Sequence, residues 1–291
     1  MTRAATVLAN TLINHGVDRV FCVPGESYLA LIDALYDTPD IDVVTARHEG
    51  GASFMAVADA KITGKPGIVM VSRGPGATNA SIGIHVSQQD AVPVIMFVGQ
   101  VSREDRGRGA FQEIDYVKTY SDMTKWVIEV SDADKISECV QRAFVIAQSG
   151  TPGPVIISLP EDMLLDETNI PALTPVVISQ PKPNMSDILK ICEMIAIAKR
   201  PLIIAGGQIG GSAGRNALRT VSETWDIPVA TAWRHQDLFN TNHPNFSCHL
   251  AFNMPPIFKE TLNESDLIIG IGTRLGDVVT QGYKIPSAPQ P

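Results

Sequence analysis

Glu49 is a carboxylate placed where a short apolar segment gives way to a run of very small residues. Residues 43–60 read VVTARHEGGASFMAVADA, so Gly50 and Gly51 follow the acid directly. An acid in the first turn of a helix is stabilised by the helix dipole, which by itself explains a carboxylate here. Two glycines in that turn cost about 1 kcal/mol each relative to alanine, however, and the close approach of another body would compensate. The segment predicts either an ordinary helix start or an acid facing a bound group.

A second motif, Gly74-Pro75-Gly76, follows another apolar run and precedes Asn79. Backbone amides in such a turn point above the carboxyl edge of a sheet, where open α/β sheets bind ligands. The spacing matches neither common phosphate-binding pattern, and Pro75 has no amide proton to donate. Three interpretations stay open: an anion site, a purely structural turn, and a turn shaped to let a flat ligand approach the backbone.

Five short aliphatic runs in the first 160 residues are predicted as strands. They lie at 19–25, 41–46, 66–72, 92–99 and 153–160. Each is almost continuously apolar, which is typical of strands covered on both faces. Apolar residues three and four apart indicate helices between them, as at 26–37 and 132–150. This alternation predicts an α/β fold with a doubly wound, mainly parallel sheet.

A proline-rich stretch separates this unit from a second one. We place the N-terminal domain at 1–165, the linker at 166–185 and the second domain at 186–291. Four prolines favour an extended, semi-rigid linker. Helices and strands then alternate again in a Rossmann-like pattern with three clear strands. Because so few strands make a thin sheet with an exposed edge, we expect this α/β domain to be incomplete and the chain to be a fragment.

The bulk composition limits the classes of function. The chain has 291 residues, 44% of them hydrophobic, and a formal net charge of -8 without any cluster of Lys and Arg, which argues against a nucleic-acid partner. No run approaches the roughly 18 apolar residues that cross a bilayer, and the amphipathic first 20 residues do not form a signal peptide, so no membrane partner is expected. Widely spaced cysteines indicate buried free thiols in a reducing cytoplasm rather than zinc or disulfides. They are Cys22, Cys139, Cys192 and Cys248.

Six motifs in a fixed order resemble those of a known family. They are Pro24-Gly25-Glu26-Ser27, Arg47-His48-Glu49, GKPGIVMVSRGPGATNA, VPVIMFVGQV, GAFQEID and TPGPVIISLPEDM. Over residues 1–165 they resemble the pyrimidine-binding domain of thiamine diphosphate enzymes of the acetolactate synthase group. The unit from 186 onward is similar to that family's central domain. The resemblance covers nearly the whole chain, and six ordered motifs are more specific than any one of them.

The resemblance implies a role for Glu49. In this family the cofactor lies between two subunits, and a glutamate matching Glu49 holds its aminopyrimidine ring. A carboxyl group in a dry pocket has a raised pKa and shares its proton with a ring nitrogen, which helps to activate the cofactor carbon that attacks a 2-keto acid. The small residues after Glu49 would let the ring come close. The implied partner is a second copy of the chain, in a homodimer or homotetramer whose interface includes the helices after residues 49 and 76.

Further residues match family positions less specifically. Those matching the cofactor pocket are Gly25, Glu26, Pro75, Gly76, Asn79 and Gln112, and those matching the substrate side are Phe111 and Lys125. Plainer interpretations stay open for three side chains: Phe111 as part of the core, Lys125 as a solvated lysine, and His85 as a structural histidine.

Part of the family's site has no counterpart in the sequence. The family binds the diphosphate through Mg²⁺ with a GDG segment and a downstream asparagine in a third domain, and no such segment occurs here. We therefore expect no metal ligands in these residues, and activity only together with that domain. FAD is a candidate second cofactor, because acetolactate synthases have a non-redox flavin on the central domain. Its candidate contacts are Gly206, Gly207 and Arg274, although no dinucleotide fingerprint is present.

The leading hypothesis is a thiamine diphosphate-dependent enzyme that makes or breaks carbon–carbon bonds of 2-keto acids. Conversion of pyruvate to 2-acetolactate, a step of branched-chain amino acid biosynthesis, is the first expectation. A 2-keto acid decarboxylase, an aldehyde lyase and a 2-hydroxyacyl-CoA lyase share the same chemistry and stay open. A hypothesis of another class is a non-catalytic nucleotide- or flavin-binding module with a regulatory role. Glu49 favours the enzyme, because a binding module needs no proton-sharing acid.

Overall fold

The computed structural model describes residues 1–179 and 181–286. Contacts within the chain divide it into two units, of which the first comprises Met1–Ser179 and the second the residues that follow. The division falls inside the proline-rich stretch. Each unit is built around its own parallel sheet, and each is described separately below.

The first unit alternates strands and helices. In chain order they are β1 (Thr2–Arg3), α1 (Ala4–Asn14), β2 (Arg19–Cys22), α2 (Leu29–Tyr36), β3 (Asp42–Thr45), α3 (Glu49–Thr63), β4 (Gly67–Val71), α4 (Pro75–Asp90), β5 (Val94–Gln100), α5 (Tyr116–Tyr120), β6 (Trp126–Glu129), α6 (Ile136–Gln148), β7 (Pro154–Pro160) and β8 (Glu167–Thr168). Six strands form one sheet in the order β3-β2-β4-β5-β7-β6, and every neighbouring pair is parallel.

Both faces of this sheet are covered by helices. Side chains of α1, α2 and α6 pack with Ile68 and Met70 on one face. Those of α3, α4 and α5 pack with Val69 and Val71 on the other. Every residue of β4, β5 and β7 is buried, which explains why their sequences are continuously apolar. The predicted doubly wound α/β fold is confirmed.

One strand of the sheet was not predicted from the sequence. Strand β6 has only four residues, each of them partly buried, and lies at the edge of the sheet beside β7. A polar segment precedes it, so its apolar signal is weak. Edge strands that are half exposed lack the continuous apolar run that identifies central strands.

The residues after β7 continue to contact the first unit. Strand β8 pairs with β1 in an antiparallel ladder that joins Thr2 to Thr168. Beyond it, the Asn14 side-chain amide donates hydrogen bonds to the carbonyl groups of Ala172 and Leu173, at 3.3 and 3.2 Å. This part of the predicted linker therefore lies on helix α1 of the first unit.

The second unit has four described strands rather than the three expected. Its elements are α7 (Met185–Ile197), β9 (Pro201–Ala205), α8 (Gly211–Trp225), β10 (Val229–Thr231), β11 (Phe246–His249), α9 (Pro256–Glu264) and β12 (Leu267–Ile271). The parallel sheet has the order β11-β10-β9-β12. The additional strand, β11, is short and mostly half-buried, and its pairing with β10 is irregular, so the sequence pattern does not indicate it. Across 1–179 and 181–286, no helix has the length and apolar character needed to cross a membrane.

Candidate active site

Most of the predicted site residues of the first unit lie at one edge of its sheet. In a parallel sheet the carboxyl ends of all strands meet at the same edge. Glu49 follows β3, Gly76 follows β4, and Gln112 lies in the segment after β5. Gly25 and Glu26 follow β2 at the same edge. Because β3, β2, β4 and β5 are neighbours in the sheet, motifs that are far apart in sequence lie at the same edge.

Glu49 begins helix α3 and is half-buried. Its Oε2 accepts a hydrogen bond of 2.9 Å from the side-chain amide of Asn79 on α4. Within the described parts of the chain, no group donates a hydrogen bond to the other oxygen, Oε1. A Cβ atom built on Gly76 would lie 3.4 Å from Oε1, so the absence of a side chain there leaves this oxygen accessible. One oxygen is oriented by an amide, and the other is free to meet a ligand.

The two glycines after Glu49 have different surroundings. The amide of Gly50 donates to Nδ1 of His48, at 3.0 Å, and this bond caps helix α3. A Cβ on Gly50 would lie 3.3 Å from the carbonyl oxygen of Asn79, so this glycine is explained by packing within the chain. A Cβ on Gly51 would meet no atom within 4 Å. No packing contact within the described chain therefore requires glycine at position 51.

Close packing of α3 against α4 sets the position of Glu49 relative to Asn79. A Cβ on Gly83 of α4 would lie 2.2 Å from Oγ of Ser53 on α3, so the helices approach closely only because residue 83 is glycine. The Ser53 hydroxyl in turn donates to the Gly50 carbonyl, at 2.9 Å. The small residues of α3 therefore serve the contact between two helices as well as the space beside Glu49.

The Gly74-Pro75-Gly76 turn is held by a buried tyrosine, Tyr116, that the sequence analysis did not single out. Gly74 has φ 62, a left-handed conformation that glycine adopts without strain. Its amide donates to the Tyr116 hydroxyl at 2.9 Å, and that hydroxyl donates to the Gly99 carbonyl at 3.3 Å. Burial raises the pKa of Tyr116 to about 12, so the hydroxyl keeps its proton at neutral pH. Because the Gly74 amide is already bonded and Pro75 has none, the turn is poorly suited to anion binding.

Two more predicted residues at this edge, Gly25 and Glu26, contact other residues of the first unit. A Cβ on Gly25 would lie 2.5 Å from Cβ of Ser72, so this glycine lets the segments after β2 and β4 pack together. The Glu26 carboxylate is paired with the Arg73 guanidinium at 3.2 Å, and Arg73 also binds Glu161 at 2.7 Å. The structure therefore gives Gly25 a packing contact and Glu26 an ion pair.

Phe111 and Gln112 lie on a loop that contacts the Gly-Pro-Gly turn. Gln112 has φ 65, and a Cβ on Gly74 would lie 2.8 Å from its Cβ, so the two backbones are in close contact. Phe111 is 76% exposed, which rules out the interpretation as a core side chain. A large exposed aromatic residue beside the turn is available to a ligand or to another protein surface.

Two predicted side chains are not brought to Glu49. Lys125 precedes β6 and so lies at the opposite, amino edge of the sheet. Its ammonium group donates to the carbonyl groups of Ile146 and Ser149 at the end of α6, where a cation is favourable, and burial lowers its pKa. His85 is exposed on α4. Within one subunit, Lys125 therefore has a capping role rather than a place beside Glu49.

Comparison with known proteins assigns the two halves of the chain to one family. Residues 2–119 match the family model described as thiamine pyrophosphate enzyme, N-terminal TPP binding domain. Residues 188–291 match the model described as thiamine pyrophosphate enzyme, central domain. The chain belongs to the thiamine pyrophosphate enzyme family. The resemblance found in the sequence is confirmed.

Two acetolactate synthase subunits are similar to nearly the whole chain. The acetolactate synthase large subunit of Lactococcus lactis subsp. lactis (strain IL1403) is 34% identical over 289 residues, which cover 98% of this chain and 50% of that protein. Acetolactate synthase isozyme 3 large subunit of Escherichia coli (strain K12) is 32% identical over 286 residues, 96% of this chain and 50% of the relative. The chain spans about half the length of these curated relatives.

The glycine turn of the central domain was predicted as a flavin contact and is filled by the protein itself. A Cβ on Gly206 would lie 2.4 Å from the Gly272 carbonyl oxygen, and one on Gly207 would lie 2.3 Å from the ring of His235. These glycines permit the loops after β9, β10 and β12 to touch. Arg274 is exposed in the loop after β12.

Backbone donors in the same turn are also in use. The Gly206 amide donates to the Ile271 carbonyl at 2.9 Å, and the Gln208 amide donates to Gly272 at 3.1 Å. The Ile209 amide donates back to Gly206 at 3.2 Å. A diphosphate bound at such a turn needs free amides pointing at its oxygens. The amides of Gly206, Gln208 and Ile209 are therefore not free to bind the diphosphate of FAD.

Metal ligands were expected outside this chain. In the described ranges no group of three or more His, Cys, Asp or Glu side chains is arranged to hold a metal ion. The four cysteines are free thiols, three of them buried and Cys192 partly exposed.

Proposed function

We propose that residues 1–291 form the pyrimidine-binding and central parts of a thiamine diphosphate-dependent enzyme that makes or breaks carbon–carbon bonds of 2-keto acids, with pyruvate to 2-acetolactate as its reaction. One observation carries the proposal. Glu49 has one oxygen held by Asn79 and the other, beside Gly76, without a donor among the described residues, at the sheet edge where ligands bind. The names of the relatives, acetolactate synthase large subunits, support the choice of reaction.

The residues around Glu49 fit the aminopyrimidine ring of thiamine diphosphate. When bound, this cofactor supplies the carbon nucleophile that adds to the keto group of the substrate. Oε1 of Glu49 accepts or returns a proton at a ring nitrogen, because a carboxylate offers both a lone pair and a site for a proton. Asn79 orients the carboxylate through Oε2, and the absence of a side chain at Gly76 keeps Oε1 accessible.

The proposal includes a second copy of the chain. Exposed apolar side chains are present on both helices that flank the acid, namely Phe54, Met55 and Ile62 on α3 and Ile82 on α4. Apolar side chains clustered on a surface are typical of a protein interface. We propose that a homodimer or homotetramer buries them and places the cofactor between subunits.

The free cysteines are compatible with a reducing cytoplasm.

We propose that the diphosphate and Mg²⁺ bind to residues outside 1–291, a proposal supported by relatives of which this chain spans about 50%. We do not extend the proposal to FAD. The glycines at 206 and 207 are packed against the chain, and the neighbouring amides are bonded internally.

A product assay tests the proposal. The complete protein that contains residues 1–291 is purified and incubated with thiamine diphosphate, Mg²⁺ and pyruvate, and the products are identified by mass spectrometry. We expect 2-acetolactate and carbon dioxide, and none when thiamine diphosphate is omitted. Acetaldehyde as the only organic product would indicate a decarboxylase instead. A lack of product from pyruvate, with or without glyoxylate or an acyl-CoA, would contradict the proposal and favour a non-catalytic module.

A further inference from the structure

We propose that Glu113 is a positioning residue, which folds the 106–113 loop around its carboxylate and so holds Gln112 against the Gly-Pro-Gly turn near Glu49. The inference rests on the proposed function, since it assigns Glu113 an effect on the same site. Glu113 itself is not placed in contact with cofactor or substrate.

The carboxylate of Glu113 accepts four hydrogen bonds from one loop. Its Oε1 accepts from the Arg106 guanidinium and from the Gly107 amide, the latter at 2.6 Å. Its Oε2 accepts from the amides of Gly109 and Ala110, at 3.1 and 3.2 Å. The Gly107 hydrogen bond, with those from Ala110 and Arg106, lowers the pKa of Glu113. The loop is thus wrapped around a single negative charge.

All four partners of Glu113 are donors. A carboxylate only accepts hydrogen bonds, so each of its oxygens suits two of these groups. Glutamine has nearly the same shape, but its NH₂ group would face two donors and leave them without an acceptor. Glu113→Gln therefore removes part of the network with almost no change in volume. This makes it a sharper probe than truncation to alanine.

Backbone geometry explains why the loop needs such an anchor. Gly107 and Gly109 have φ 79 and 71, and Gln112 has φ 65. Glycine adopts this conformation freely, but a residue with a side chain pays about 1–2 kcal/mol for it. Gln112 keeps the conformation because its neighbours are fixed: Glu113 holds the loop on one side, and Gly74 contacts it on the other.

The anchor is itself tied to the sheet. The Arg106 guanidinium binds Oε1 of Glu129 on β6 at 2.9 Å. Oε2 of Glu129 accepts from the side chains of Gln100 on β5 and Ser158 on β7, both at 3.3 Å. A continuous polar chain therefore runs from three strand ends through Arg106 to Glu113. Through these hydrogen bonds the sheet restrains the loop that contains Gln112, the residue beside the Gly-Pro-Gly turn.

Limited proteolysis tests the hold of Glu113 on the loop. Arg108 lies within the loop with its side chain 71% exposed, so trypsin reports directly on loop opening. We expect cleavage after Arg108 in the native complete protein to become at least tenfold faster in Glu113→Gln. Glu104→Gln removes an exposed acid from the same segment and should cleave like the wild type. Equal cleavage rates of Glu113→Gln and wild type would overturn the proposal.

If Glu113→Gln fails to fold, as judged by circular dichroism, Glu113→Asp replaces it. Aspartate keeps the charge but retracts the carboxylate by one methylene, so we expect cleavage faster than wild type by at least threefold. A wild-type rate in this variant would also count against the proposal.

A double-mutant cycle tests the effect on the site. We expect Glu113→Gln to lower kcat/KM for pyruvate about tenfold in the wild type, and by less than twofold once Gln112→Ala is already present, because both changes act through one side chain. Additive losses, or a Gln112→Ala variant with wild-type kcat/KM, would overturn the positioning role and leave the proposed function standing. If the wild type shows no thiamine diphosphate-dependent turnover, the proposed function fails, and the trypsin result still decides whether Glu113 holds the loop.

Discussion

Both units of the chain place glycines at the carboxyl edge of a parallel sheet, but those glycines do different things. In the first unit, Gly51 faces open space, and Gly76 leaves an oxygen of Glu49 within reach. In the second unit, Gly206 and Gly207 are occupied by the protein's own atoms, with Cβ positions 2.4 and 2.3 Å from neighbouring groups. One edge is open around a carboxylate, whereas the other is closed.

The comparison shows that glycine at a strand end is weak evidence for a ligand. The useful second observation is whether polar groups beside the glycine are already bonded. Around Gly206 the amides donate to carbonyl groups of the chain. Beside Gly76, Oε1 of Glu49 has no donor among the described residues. An unshared polar atom beside a glycine is the combination that indicates a binding site.

Replacing Glu49 with a residue that cannot exchange a proton should have the largest effect, which is on turnover. Glu49→Gln keeps the size of the side chain and an acceptor for Asn79, but it does not exchange a proton at neutral pH. We expect turnover with saturating thiamine diphosphate and Mg²⁺ to fall about 10²–10⁴-fold, with circular dichroism unchanged.

The matched control is Glu138→Gln, which alters an exposed acid in the first turn of α6. It should retain wild-type turnover. Equal activities of the two variants would remove the distinction between Glu49 and an ordinary helix-start acid.

Adding a methyl group at Gly206, in the second unit, should reduce stability rather than activity. The new methyl group of Gly206→Ala would collide with the Gly272 carbonyl oxygen and the Thr273 backbone. We expect the free energy of unfolding to fall by about 1–3 kcal/mol, because a backbone neighbour cannot rotate away. Urea unfolding followed by the fluorescence of Trp225 and Trp233, both in the second unit, measures it. An unchanged midpoint would show that the turn has room for a ligand after all.

Adding a methyl group at Gly51 in the first unit should have the smallest effect. It should raise the free energy of unfolding, whereas Gly206→Ala lowers it. A methyl group at Gly51→Ala meets no atom within 4 Å, and alanine is favoured over glycine in helices. We expect the free energy of unfolding to rise by up to about 1 kcal/mol in urea titrations, because alanine loses less backbone entropy on folding than glycine. A loss of stability would indicate that a side chain at position 51 contacts other atoms of the protein.

The sequence predicted the central strands of the first sheet and missed one edge strand of each sheet. Strands β4 and β5 are buried on both faces and therefore carry uninterrupted apolar runs. Strands β6 and β11 are short and half-buried at sheet edges, so their pattern resembles that of a loop. Helix α3 was found by its acid and small residues, but the reason for Gly83 appeared only in the contact with Ser53.

The acid at position 49 was singled out by its neighbours along the chain, and its role was implied by the family resemblance. Its hydrogen bond with Asn79 crosses 30 positions of sequence, and the support of the turn by Tyr116 crosses 42. No local pattern encodes such contacts, because they depend on which strands become neighbours. Lys125 shows the reverse case: a family position suggested a substrate contact, whereas its ammonium group binds the end of α6 within the subunit.

Titration calorimetry tests the central claim most directly, namely that the unshared oxygen of Glu49 receives the ring of thiamine diphosphate. Thiamine diphosphate is titrated with Mg²⁺ into the complete protein and into its Glu49→Ala variant. We predict saturable binding to the wild type and an affinity at least tenfold lower for the variant, since a hydrogen bond to a charged group contributes about 1.5–3 kcal/mol. No heat with the wild type at any cofactor concentration, or equal affinities for the two proteins, would contradict the account.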